Sequence, residues 1–527
     1  MLRRARIAVQ LASLALFLYL LARTVGIGED RLGPPVRIFL ELDPLVGLTT
    51  WLRTGALHGL MFLSLVTIAL TFVLGRAFCG WVCPLGTLSQ MSGRLLRKRR
   101  DDRAADAWRP SQRWKYLIAA FVIASAATGS LWAGILDPIS LLIRSLSAGV
   151  APAAEWAVRT SARALAATPL VAVTDPAYFW IRDRVMAPHP PRFEQGALLA
   201  AILLALLALS WLRRRFWCRV LCPLGGLLGV IAKGGTLALR RRDDVCNDCE
   251  LCAFHCQGAA DPDRRDGWRP SECFVCGNCT SSCTRSGLSF GWTRPRIVGW
   301  RPFAGRRAGE PKTAPVDAGR RRVLAALGLG IVAGPLGRLS PARAHPPGAL
   351  IRPPGAGIED EFLDRCVRCG ECLKVCPGNG LHPADLEEGL LGLWTPVLRP
   401  RLGYCEYRCT LCGQVCPTGA LARLTIDEKA RTVIGVAYLV KDRCLPLADG
   451  KPCIVCEEHC PTSPKAIVFD ETTAAGAGGA PFVLKKPRIV AERCVGCGIC
   501  EYRCPLEGDA AIRISGAKRV PDGGMVA

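Results

Sequence analysis

The chain has 527 residues, 68 Lys+Arg against 44 Asp+Glu for a formal net charge of +24, 28 cysteines and only 6 histidines. Thiols at that density exceed what an ordinary cytosolic enzyme carries and are spread too widely for a small disulfide scaffold, so they read as ligands. No C-x-x-C-H string occurs, which excludes covalent c-type haem. The positive charge sits in short Lys/Arg runs beside apolar stretches, the usage of a membrane protein rather than a nucleic-acid binder.

Residues 7–26, 57–75, 116–135 and 196–212 are apolar runs of roughly 17 to 20 residues, the length a bilayer core demands. Four spanning helices are expected. Basic residues crowd before the first (Arg3, Arg4, Arg6), after the second (Arg94, Arg97, Lys98, Arg99, Arg100, Arg103) and after the fourth (Arg213, Arg214, Arg215, Arg219). The positive-inside rule then puts both ends of this module in the cytoplasm. Each helical hairpin carries Leu-Asp-Pro beyond its first helix (Asp43-Pro44, Asp137-Pro138) and a C-x3-C-P-L-G motif after its second (Cys79/Cys83 and Cys218/Cys222). Matches of that quality indicate internal duplication. The second hairpin has an extracytoplasmic insertion, residues 145–195, whose Trp156, Tyr178, Phe179 and Trp180 read as interfacial anchors.

Two thiols four residues apart share one helical face, so four sulfurs from the two repeats could converge on a metal or cluster, with structural thiols as the alternative. Asp43, Asp137 and His58, placed toward the outer ends of the hairpins, are candidate proton acceptors. The competing roles are helix caps for the aspartates and a surface position for the histidine.

Cys246/Cys249/Cys252/Cys256 and Cys273/Cys276/Cys279/Cys283 both follow C-x2-C-x2-C-x3-C, the spacing of a two-cluster ferredoxin. A triplet wraps one cluster while its fourth cysteine serves the neighbour, pairing Cys246, Cys249 and Cys252 with Cys283, and Cys273, Cys276 and Cys279 with Cys256. Zinc sites use pairs rather than triplets. Further on, Arg320-Arg321-Arg322-Val323-Leu324, an apolar stretch and Ala342-Arg343-Ala344 have signal-peptide grammar in mid-chain, resembling a twin-arginine signal cleaved before His345. An uncleaved fifth anchor is the alternative, and either puts later residues outside. Residues 474–480 read as a loop.

The outer region has four more groups, each ending in Cys-Pro: Cys366/Cys369/Cys372/Cys376, Cys405/Cys409/Cys412/Cys416, Cys444/Cys453/Cys456/Cys460 and Cys494/Cys497/Cys500/Cys504. They are expected to hold four [4Fe-4S] clusters, six in all with the cytoplasmic two; a disulfide framework is the competing reading. The expected architecture is a multi-domain α+β membrane protein. Residues 1–235 form a four-helix transmembrane module, 236–300 a cytoplasmic ferredoxin domain, 301–345 a linker with signal or anchor helix, and 346–527 a periplasmic four-cluster domain.

These motifs in this order resemble a NapH/MauN-type membrane ferredoxin protein over residues 1–300, joined to a NapG/MauM-type polyferredoxin over 315–520. The resemblance implies an inner-membrane quinol dehydrogenase component that relays electrons from quinol to a periplasmic redox enzyme or cytochrome. By resemblance to four-cluster electron-transfer subunits, the first outer group would exchange ligands with the fourth, and the second with the third. A hydrocarbon core of roughly 30 Å separates the two sides, so transfer between them needs an intermediate. The other functional readings are a maturation factor for a periplasmic enzyme and a copper reductase using the membrane thiols.

Overall fold

The computed structural model describes residues 2–28, 30–96, 106–166, 171–186, 192–263, 268–295, 318–338, 350–386, 389–475 and 481–516, as helices and short strand pairs. The basic run 97–103, the Ala344–His345 junction and residues 476–480 lie outside the described residues. The chain divides into two compact units. One gathers Met1–Leu21, Val36–Ser145 and Ala200–Arg338, the other Ala22–Pro35, Leu146–Leu199 and Leu339–Ala527.

In the first unit, Leu2–Arg23 is the one helix among the described residues long and apolar enough to cross a bilayer. The other expected spans are shorter: Leu63–Leu74, Trp114–Ala127 and Gly196–Ala208, of 12, 14 and 13 residues. Left-handed glycines explain two of the truncations, since Gly75 (φ 67°) ends the Leu63–Leu74 helix and Gly129 (φ 104°) follows Trp114–Ala127.

Four helices, Pro44–Thr54, Pro84–Leu96, Pro138–Ser145 and Pro223–Lys233, begin with the proline that follows Asp43, Cys83, Asp137 and Cys222. Proline is favoured there because its missing N–H would have no helical partner. The repeats interlock: Pro84–Leu96 of the first packs on Pro138–Ser145 of the second, and Pro223–Lys233 of the second on Pro44–Thr54 and Leu63–Leu74 of the first. The Ala318–Arg338 helix, which contains Arg320, Arg321 and Arg322, lies along Trp114–Ala127. Gly330 permits this approach, because a Cβ there would stand 2.5 Å from the Phe121 carbonyl oxygen.

The ferredoxin segment of this unit is bracketed by antiparallel strands, Leu237–Arg241 with Leu288–Trp292. Similar pairs recur in the second unit: Leu381–Pro383 with Pro396–Leu398, Val436–Leu439 with Ile512–Ser515, and the hairpin Ile467–Ala475/Pro481–Ile489. Ala474 and Ala475 of the expected loop finish a hairpin strand.

Two segments from the helical half of the sequence are built into this second unit. The Asp30 carboxylate accepts from the Thr410 N–H and hydroxyl, both at 2.6 Å, and Gln414 donates to the Asp30 carbonyl at 2.7 Å. Leu32 packs beside Val375, Leu411 and Val415, and the Trp394 indole donates to Gln195 at 2.7 Å. Trp156, Phe179 and Trp180 are exposed, at 63%, 43% and 56%.

Candidate functional site

The four proline-initiated helices carry Asp, Cys, Asp and Cys at the residue before the first turn, where a side chain can accept the helix's unpaired N–H groups. Asp43 Oδ1 accepts from Leu45 (2.7 Å) and Val46 (3.3 Å), and Asp137 Oδ2 from Ile139 (3.1 Å) and Ser140 (2.7 Å). The Cys222 sulfur accepts from Gly225 at 3.3 Å, and Cys83 is held by the matching Gly86 N–H. Capping therefore uses one oxygen of each carboxyl. The other oxygens, Asp43 Oδ2 and Asp137 Oδ1, are buried with no hydrogen-bond partner among the described residues, and the two carboxyls act on one another electrostatically. Two buried carboxyls so placed cannot both ionise cheaply, so burial and the neighbouring Asp137 raise Asp43 above the ordinary carboxylate range and the pair titrates as a coupled unit.

The thiols gather in the same core. Cys83 and Cys222 both interact electrostatically with Cys79 and Cys218, and Cys83 also with Asp43. Sequence spacing assigned the carboxyls to the outer ends of the hairpins and the thiols to the cytoplasmic ends. Asp43 nonetheless acts electrostatically on Cys83, so one carboxyl of the pair lies within reach of the thiols. None of the described contacts joins His58, half-buried ahead of Leu63–Leu74, to this centre. Among the described residues, no three His, Cys, Asp or Glu side chains close on a point as a single-ion site does. A four-iron cube holds its thiolates farther apart than one ion does.

Two residues that the motif reading passed over complete this centre. Arg76 and Arg215 each stand three residues before the first cysteine of their motif, and both are buried, at 0% and 1%. Arg215 Nη1 donates to the Cys79 carbonyl at 2.9 Å and Nη2 to Gln90 at 2.7 Å. Arg76 reaches Gly225 so closely that a Cβ there would stand 2.7 Å from its Nη2. Each arginine thus crosses to the other repeat, and the glycine of C-P-L-G leaves room for it. The repeated string R-x-x-C-x3-C-P-L-G was the available signal.

Both guanidinium groups also stack on Phe274, at 4.9 and 4.8 Å, and Phe274 lies between the ferredoxin ligands Cys273 and Cys276. The same loop packs on the Phe78–Val82 turn: a Cβ on Gly80 would stand 2.2 Å from the Phe274 carbonyl oxygen. Trp81 Nε1 donates to the Val275 carbonyl at 3.0 Å. Next to Cys273, buried Glu272 pairs with Lys115 and accepts from Tyr116 (2.8 Å) and Gln112 (3.1 Å).

All 28 cysteines are free thiols, so no disulfide framework forms. Cys273, Cys276 and Cys279 gather with Cys256. Cys246, Cys249 and Cys252 line one hollow with Cys283. These pairings follow the ferredoxin expectation. In the second unit, Cys366, Cys369 and Cys372 meet Cys416, while Cys405, Cys409 and Cys412 meet Cys376. Cys444, Cys453 and Cys456 meet Cys504, while Cys494, Cys497 and Cys500 meet Cys460. The expected exchange of first with fourth and second with third is therefore corrected to first with second and third with fourth. The reason is local: Leu411 and Val415 pack with Val375, whereas Cys494 and Cys500 share a core with Cys456 and Cys460. The two halves touch where the Cys405 N–H donates to the Cys497 carbonyl at 2.8 Å.

The regular triplets share a backbone device. The residues flanking their second cysteine are left-handed: Asp248 and Glu250, Val275 and Gly277, Arg368 and Gly370, Gly496 and Gly498. Alternating hand turns successive N–H groups inward, a concavity suited to an anionic centre. Direct N–H···S bonds add to it, from Val275 to Cys273 at 3.4 Å and from Gly287 to Cys283 at 3.2 Å. Burial pushes the Cys273 and Cys405 thiols up to about 12, so iron must displace their protons. The donor sets fit iron–sulfur clusters, which would pass electrons one at a time.

A family model described as a 4Fe-4S binding domain matches residues 56–101 and 195–243, segments that contain Cys79, Cys83, Cys218 and Cys222. A second, described as a 4Fe-4S dicluster domain, matches residues 365–420. The chain is 28% identical to the putative electron transport protein YccM of Escherichia coli (strain K12) over 265 residues, 49% of this chain and 64% of that protein. It is 39% identical to the ferredoxin-type protein NapG of the same organism over 141 residues, 25% of this chain and 60% of NapG. With its ferredoxin-type protein NapH the identity is 26% over 255 residues, 46% of this chain and 71% of NapH. The match thus spans less than two thirds of YccM and of NapG. No solved structure matches the chain. The cysteine groups and these relatives make the chain similar to ferredoxin-type proteins of the NapH, NapG and MauM kinds, consistent with a fusion of the two types.

Proposed function

We propose that the protein is a multi-pass inner-membrane relay that oxidises quinol and delivers electrons through six [4Fe-4S] clusters to a periplasmic redox enzyme or cytochrome. What carries this reading is the contiguity, within one unit, of the carboxyl pair, the four thiols and the Cys273–Cys276 loop. Quinol oxidation releases two electrons and two protons. The Asp43–Asp137 pair takes the first proton and, after re-equilibrating with water, the second. Cys79, Cys83, Cys218 and Cys222 would hold a metal or cluster able to accept electrons singly; the 4Fe-4S family match over both motifs supports a cluster.

Sidedness follows from charge. Arg6, in the basic cytoplasmic run, donates to Gln90 at 3.2 Å and reaches Asn278 beside the 273–283 group. Asp30, beyond the outer end of the first helix, binds Thr410 of the second outer group. The packing of Gly330 against Phe121 supports a retained fifth helix rather than a cleaved signal.

The test is anaerobic EPR of the purified protein with menaquinol, using dithionite as the full-reduction control. Reduced-cluster signals with quinol, abolished in a C79S/C218S double variant, are expected. Reduction by dithionite alone would overturn the relay and favour a maturation role, and copper without iron would replace it with copper reduction.

A further inference from the structure

A cavity of about 270 Å³ in the first unit is lined by Arg3, Arg94, Arg214, Arg215, Ser89, Gln90, Gly93, His255, Gln257 and Asn278. Four of these are arginines, and no carboxylate lines it among the described residues. Arg214 is paired with Asp106 at 3.0 Å, and two groups of Arg215 are engaged. Arg3 and Arg94, both exposed, have no such neutralising partner in the wall among the described residues. Burial, and after it like charge on Arg3, Arg215 and Arg214, lowers the Arg94 guanidinium below its ordinary value.

The floor is built and unfinished. Arg215 Nε, a donor, and Gln257 Oε1, an acceptor, are buried and have no hydrogen-bond partner among the described residues, and their residues are only 1% and 6% exposed. Buried polar atoms left unpaired are costly, so a ligand that satisfies both should be retained. It must carry negative charge for the arginines and a hydroxyl for Gln257. The volume exceeds what a few waters need and admits a head group.

We propose that this cavity binds a hydroxyl-bearing phosphate anion, presented by an anionic phospholipid head group such as phosphatidylglycerol or arriving as free hydrogen phosphate. Arginine forks suit phosphate oxygens, with the glycerol or phosphate hydroxyl donating to Gln257. The site stands on the cavity alone and does not depend on quinol being the electron donor.

The full-length protein is reconstituted in phosphatidylcholine nanodiscs with and without phosphatidylglycerol and examined by native mass spectrometry. A parallel thermal-shift titration uses inorganic phosphate. One saturable phosphatidylglycerol or a saturable phosphate-dependent rise in Tm is expected, and the arm that responds identifies the source. Arg94→Gln should weaken binding about tenfold, the loss of one charged contact. Arg4→Gln, exposed beside Arg3 on the Leu2–Arg23 helix but outside the cavity wall, should leave it unchanged. Both substitutions lie at the surface, and unaltered cluster absorbance verifies folding. Binding of neither probe, or equal weakening by R4Q and R94Q, overturns the site.

Discussion

Single positions decide whether a cluster loop can close. Gly496 has φ 74°, and a Cβ there would stand 2.4 Å from the Gly435 backbone. Gly496→Ala should therefore cost about 1–3 kcal/mol through backbone strain and selectively weaken the set Cys494/Cys497/Cys500/Cys460. EPR spin quantification falling by one cluster's worth would show it; a full complement with an unchanged Tm would refute it. Glu250, at φ 57°, occupies with a side chain the left-handed position that Gly498 holds in the last set, so Glu250→Gly should raise stability by up to about 1 kcal/mol in thermal melts. At the carboxyl pair, Asp43→Asn keeps an oxygen for Leu45 and Val46 but ends the coupled titration with Asp137. Quinol-driven reduction is expected to slow by about 10²-fold or more while dithionite reduction is untouched. Equal rates in both assays would make Asp43 a cap and nothing more.

Elements are joined by buried polar contacts whose loss is costly. Glu272 fastens the ferredoxin loop to the Trp114–Ala127 helix through Lys115, Tyr116 and Gln112. Glu272→Ala strands buried Lys115 and should cost about 3–5 kcal/mol, seen as protease release of the 237–292 segment before the helices unfold. In the second unit, His382 is 2% exposed, lies edge-on to Phe193 at 5.4 Å, and burial lowers it from 6.5 to about 4. The unfolded chain then binds the extra proton first as pH falls. Stability should drop as pH falls from 6.5 to 4 and level off below, and His382→Gln should flatten that dependence in pH-resolved melts. The widened third group illustrates a limit of spacing: its eight intervening residues include the Leu445–Asp449 turn, closed by left-handed Gly450, and Cys444 still lies near Cys453 and Cys504.

Across the whole molecule, ligand exchange follows neighbours in space, and this is open to direct test. Cys416→Ser should perturb the cluster of Cys366, Cys369 and Cys372, and Cys504→Ser that of Cys444, Cys453 and Cys456. Perturbation of the fourth triplet by a first-group substitution such as Cys376→Ser would restore the first-with-fourth exchange.

Cysteine spacing by itself marked out six groups of four cysteines, because in the regular groups a triplet two residues apart can wrap a cluster using local backbone alone. Asp-Pro and Cys-Pro likewise announced helix starts, since capping involves only the next two or three residues. The tertiary structure alone decided which triplets share ligands, that Asp43 meets Asp137 and nears Cys83, and that Arg76 and Arg215 cross between repeats around Phe274. Those facts depend on packing between residues far apart in the sequence, as for Arg76 and Phe274. No periodicity along the chain records such contacts.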